Sequence, residues 1–85
     1  MIWITEAEYI REYKIRLVFN TGAEGIADLE DVLKNDKREI FRLTAKPGNF
    51  TKFRVEADTL VWDTGLDLAP EFLFDCVKLG EMVKG

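Results

Sequence analysis

With 85 residues, 47% of them hydrophobic and 12% aromatic, the chain has room for one domain and one modest core. The net charge is −4, histidine and serine are absent and cysteine occurs once, which excludes Ser-His and Cys-His catalysis within the chain, an internal disulfide and a Cys-His zinc site. No apolar run approaches the ~18 residues of a membrane span, and MIWITEAEY lacks the basic-then-apolar pattern of a secretory signal. A soluble cytoplasmic protein without a cofactor is therefore expected. Charge is spread unevenly: residues 1–33 carry seven acidic and three basic side chains, residues 34–54 two and seven, residues 55–85 seven and two.

Taken in order, Ile2–Tyr9 alternates Trp3, Thr5, Ala7 and Tyr9 against Ile2 and Ile4, the period of two that defines a strand. Apolar residues on both sides predict cover on both faces at its start. Ile10–Glu12 is the expected connection. Tyr13–Asn20 is the clearest strand, with Tyr13, Ile15, Leu17 and Phe19 inward and Lys14, Arg16 and Asn20 outward; Val18 on the outer side predicts partial cover there. Thr21-Gly22 marks a turn, and Glu24–Ala27 returns to complete a three-stranded meander. Asp28 is the expected N-cap of a short helix with Leu29, Val32 and Leu33 on one stripe, ending near Lys34-Asn35. Asp36–Glu39 reads as a linker. Ile40, Phe41 and Leu43 form an apolar cluster that fits either a helical turn or an irregular plug, and Lys46-Pro47-Gly48-Asn49 reads as a turn.

In the C-terminal third, Phe53, Val55 and Ala57 alternate with Lys52, Arg54 and Glu56, Asp58-Thr59 reverses the chain, and Thr59–Trp62 returns as a β-branched and aromatic strand. Asp63-Thr64-Gly65 ends the hairpin, and Asp67 or Ala69 caps a helix with Pro70 in its first turn. That helix carries Phe72, Leu73, Cys76, Val77, Leu79 and Val83 on a broad apolar face, and Gly80 weakens its last turns. Trp3 and Trp62 are predicted in the core, Trp62 between the hairpin and the final helix. The fold class is α+β: a single domain over 1–85 with about five antiparallel strands in one meander and hairpin sheet, and one short and one longer helix on one face.

Phe19–Gly22, Asp28-Leu29, the Ile40–Leu43 cluster and the run Trp62-Asp63-x-Gly65-x-Asp67-Leu68-x-Pro70-Glu71-x-Leu73 together resemble the small bacterial family known as domain of unknown function 2442. The likeness covers almost the whole chain. It departs at Asp63, where such proteins often have a proline, and at Thr21, where an acidic residue often precedes the glycine; both departures affect turns more than chemistry. The resemblance implies an α+β domain, usually alone and sometimes joined to a DNA-binding helix-turn-helix. Such domains are often encoded beside another small protein, an arrangement similar to toxin–antitoxin pairs. It implies no reaction, and no catalytic residue carries over.

No residue constellation here specifies a reaction. The expected function is that of a non-enzymatic interaction module, binding a protein encoded nearby in a regulatory or antitoxin-like role, with Lys34, Lys37, Arg38, Arg42 and Lys46 as the candidate partner-binding residues. A basic strip of this kind suits an acidic partner, including the acidic ends of a second copy of the chain. A second reading uses the basic 34–54 segment, with Lys52 and Arg54, to bind nucleic acid. In a third, Asp63, Asp67 and Glu71 hold a divalent cation for an enzyme, with Thr59 or Thr64 as nucleophile. Capping and turn formation account for the same carboxylates without a ligand. Cys76 reads as a small buried hydrophobe, and an exposed edge strand at Ile2–Tyr9 or Glu24–Ala27 offers a route to homo-oligomers.

Overall fold

The computed structural model describes the backbone of residues 1–84 and the side chains of residues 1–77. Strands β1 (Ile4–Arg11), β2 (Lys14–Phe19) and β3 (Glu24–Asp28) form one antiparallel sheet in that order, and β4 (Phe53–Glu56), β5 (Thr59–Trp62) and β6 (Asp67–Leu68) form a second. Helices α1 (Glu30–Asn35), α2 (Glu39–Ala45) and α3 (Pro47–Phe50) lie between the sheets in sequence, and α4 (Pro70–Lys84) follows the second. The fold is thus α+β, but the expected single sheet is two sheets of three strands. They meet where the Ile4 N–H donates to the Asp58 carbonyl at 3.0 Å. One apolar cluster runs through both, from Ile4, Ile15, Leu17 and Phe19 to Leu60, Trp62 and Leu68.

In the first sheet Ile15, Leu17 and Phe19 of β2 are buried and pair with Tyr9, Ala7 and Ile4 of β1. On the opposite face Val18 is half-buried. The register of β1 shifts between Ile4 and Glu6, which puts Ile4 on the same face as Ala7. That irregularity overrides the simple alternation, so Ile4 is buried while Trp3, expected in the core, is 39% exposed. The Trp3 N–H is held instead by Asn20 Oδ1 at 2.9 Å.

The second sheet is a hairpin with a short added strand. Glu56 pairs with Thr59, so Ala57-Asp58 is a two-residue loop, one position earlier than expected, and both residues have positive φ, 50° and 68°. This is the signature of a type I′ turn, whose twist matches that of the strands it joins. Gly65, at φ 100°, lets the chain double back so that Leu66 accepts from the Trp62 N–H at 2.8 Å and β6 pairs with β5. Asp67, expected as a helix cap, belongs to this strand, and Ala69 immediately precedes α4. Trp62 is 1% exposed. Its indole N–H donates to the Phe50 carbonyl at 2.9 Å, and its ring meets those of Phe50 and Phe53, so it wedges against α3 and β4.

Complete burial of Leu29 fixes the start of α1: Leu29 takes the cap position, and Asp28, at the end of β3, accepts the Glu30 N–H through Oδ1 at 3.1 Å. The Ile40–Leu43 cluster is helical, within α2, and buries Phe41 and Thr44. The expected turn at Lys46–Asn49 winds into the single-turn helix α3, opened by Pro47, which delivers Phe50 to the core. Two further side chains fix this corner: Tyr13 Oη donates to the Ala45 carbonyl at 2.7 Å and Asn49 Nδ2 to that of Leu43 at 2.8 Å. Thr44 Oγ1 donates to the Ile40 carbonyl at 2.7 Å, which leaves Thr64 to donate to Thr44 across 2.6 Å.

Helix α4 runs through Gly80 and buries Leu73 and Val77. Phe74 is half-buried, edge-on to Phe19 at 5.2 Å, and Cys76 is half-buried. Phe72, expected on the buried face, is 42% exposed. Successive helical residues turn by 100°, so three consecutive apolar residues at 72–74 span too wide an arc for all to face inward. The Leu79 and Val83 side chains lie outside the described residues.

Candidate functional site

The exposed ring of Phe72 borders an open groove of about 260 Å³, lined by Val32 of α1, Asp36, Arg38 and Phe41 at the start of α2, Asp67, Leu68 and Ala69 around β6, and Phe72 itself. Its floor is apolar because Phe41 and Leu68 are core residues whose outer edges reach it. Pockets for drug-sized ligands occupy roughly 300–1,000 Å³. This groove suits one or two protein side chains.

Its charged lip is an ion pair. Arg38 donates to Asp36 through Nε at 3.0 Å and Nη2 at 2.8 Å, and the Arg38 backbone N–H adds a third bond to Asp36 Oδ1 at 3.0 Å. These bonds, the side-chain ones foremost, hold the Asp36 carboxyl at a pKa of about 2, and Asp36 raises Arg38 in turn. The guanidinium also lies 4.6 Å from the centre of the Phe41 ring. Arg38 is therefore already committed on two sides. Asp67, by contrast, makes no ion pair among the described residues, nor do Glu71 and Asp75, which share the exposed face of α4 with Phe72.

Of the five basic residues singled out in the sequence, Arg38 alone lines the groove. Lys34 pairs with Glu30 at 3.0 Å, and its ammonium, 5.1 Å from the Tyr13 ring, has its pKa raised by the Glu30 hydrogen bond. Arg42 pairs with Glu39 at 2.8 Å. Lys37 and Lys46 make no ion pair among the described residues; Lys37 lies between α1 and α2, Lys46 between α2 and α3. Further along, Arg54 bridges Glu56 at 2.7 Å and Asp63 at 3.0 Å.

The acidic trio does not assemble. Asp63 turns to Arg54, Asp67 faces the groove and Glu71 lies on α4; among the described residues no three His, Cys, Asp or Glu side chains are placed to hold a metal. The Thr64 hydroxyl is taken by Thr44, and that of Thr59 donates to the Glu56 carbonyl at 3.0 Å. Burial, and then Asp75, pushes the Cys76 thiol above its ordinary pKa. Phe72 is the residue the sequence reading missed, and the signal for it was the unbroken apolar triplet.

Fold and groove together define a small α+β domain with an open groove of mixed apolar and charged lining where α1, α2, β6 and α4 meet. Residues 4–78 match the model of a protein family of unknown function, DUF2442, and the chain belongs to that family. No match was found among curated proteins or among solved structures. Among the described residues no helix is long and apolar enough to cross a membrane.

Proposed function

We propose that this domain is a cytoplasmic interaction module that docks a protein partner in the Phe72 groove, in a regulatory or antitoxin-like role, and performs no reaction of its own. The observation that carries this reading is Phe72, a large aromatic left 42% exposed beside Val32, Phe41 and Leu68 in a recess wide enough for a partner's side chain. Anchors of binding energy are typically aromatic residues next to such recesses. Pairing of Lys34, Arg38, Arg42 and Arg54 with nearby carboxylates favours a protein partner over nucleic acid, because it lowers the positive potential that a phosphate backbone requires.

The first partner to test is the product of the adjoining gene, the arrangement implied by the family resemblance. Co-expression and size-exclusion chromatography should give a single co-eluting peak that separates in the Phe72→Ala variant. Separate elution of the two wild-type proteins at micromolar concentration overturns the reading.

A further inference from the structure

The charges around the groove specify its partner further, on the footing that the groove is a docking site. We propose that its occupant is a basic amphipathic segment of another protein: one or two large apolar side chains seat against Phe41, Leu68 and Phe72 while Lys or Arg side chains reach Asp67, Glu71 and Asp75. The sequence alone favours the opposite polarity, because its middle third is basic. Folding reverses that expectation. Lys34, Arg38 and Arg42 each take a carboxylate from within their own neighbourhood at 3.0 Å or less, which leaves Lys37, between the lining residues Asp36 and Arg38, as a single cation there without an ion pair among the described residues, against three such carboxylates.

Asp67 lines the groove, Glu71 and Asp75 flank Phe72 on the exposed face of α4, and none of the three has a cationic partner among the described residues. Along the helix Glu71 and Asp75 are one turn apart, about 6 Å, a spacing that two basic residues on one face of a partner helix or strand match. The guanidinium of Arg38 does not oppose such a partner, since Asp36 neutralises it through two side-chain bonds. An acidic segment would meet three carboxylates that have no ionic partner among the described residues. In this division of labour the apolar anchor supplies affinity, and the exposed carboxylates supply selectivity and rate of encounter.

The test is a random 12-residue peptide display selection on the immobilised full chain, washed at about 0.15 M salt, where the screening length is ~8 Å and distant charge contributes little. Enriched peptides should carry large apolar residues beside at least two Lys or Arg and few acids. A labelled winner, followed by fluorescence anisotropy, should lose about tenfold in affinity or more in Phe72→Ala. A loss of about tenfold is also expected in the neutral triple variant Asp67→Asn/Glu71→Gln/Asp75→Asn, with its fold checked by circular dichroism. An acidic consensus, no enrichment, or winners insensitive to the triple variant overturn the proposal. An uncharged consensus that still depends on Phe72 overturns it too, while leaving the docking groove in place. Self-association of the chain alone, abolished by Phe72→Ala in sedimentation velocity, would give the groove to a second copy and overturn it as well.

Discussion

Replacing Trp62 by Phe isolates one hydrogen bond at the centre of the fold. The indole N–H donates to the Phe50 carbonyl at 2.9 Å in a position where both residues are 1% exposed, so phenylalanine keeps an aromatic ring but leaves a buried acceptor without its donor. An unsatisfied buried polar group costs about 1–3 kcal/mol. The smaller ring also leaves roughly 35 Å³ unfilled, which at ~24 cal/mol per Å³ adds about 1 kcal/mol. The expected loss is therefore about 2–4 kcal/mol. Domains of this size hold roughly 4–13 kcal/mol in all, so the midpoint of thermal unfolding should fall by about 10–20 °C. Urea unfolding followed by far-ultraviolet circular dichroism measures it without relying on tryptophan fluorescence. A loss under about 1 kcal/mol with an unchanged denaturant slope would refute the claim that this bond ties the second sheet to α3.

Thr44→Val should cost about 1–2 kcal/mol, because it strands the Thr64 hydroxyl. The double variant Thr44→Val/Thr64→Val should cost less than the sum of the two single changes, and additivity in a double-mutant cycle would deny the coupling. In the type I′ turn, Ala57→Asn with Asp58→Gly should stabilise by about 1 kcal/mol, since both positions have positive φ, which alanine disfavours and aspartate tolerates less well than glycine; an unchanged or lower urea midpoint would count against that geometry. The Asp36 carboxyl should titrate at about 2 in a carbon-detected NMR experiment, with Arg38 the cause. Its folded value is depressed, so the stabilisation from this pair is present above the ordinary carboxylate range near ~3.9 and is lost as pH falls through about 2. A midpoint in the ordinary range, or one unmoved by Arg38→Ala, would contradict the pairing.

The sequence by itself determined the elements whose periodicity is long or whose breaks are chemically sharp. The inward set Ile15, Leu17 and Phe19, the return strand Glu24–Ala27, the hairpin ending at Trp62 and the helix opened by Pro70 all follow from alternation, glycine and proline. Family membership was legible in the same residues. Tertiary structure decided what local pattern leaves degenerate. Whether Ile40–Leu43 winds into a helix, whether Lys46–Asn49 is a turn or a helical turn, and which of Phe72, Leu73 and Phe74 faces outward depend on which neighbours compete for the same buried volume. Trp3, expected in the core, is left 39% exposed while Ile4 is buried, because one register shift in β1 moves side chains to the other face. The basic middle segment changed character for a related reason: charge counted along the chain adds up regardless of position, whereas in the fold each cation acts through the carboxylate a few ångströms away. Arg38 therefore became one half of an ion pair at the lip, while Asp67 in the groove and Glu71 and Asp75 beside Phe72 are left without an ionic partner among the described residues.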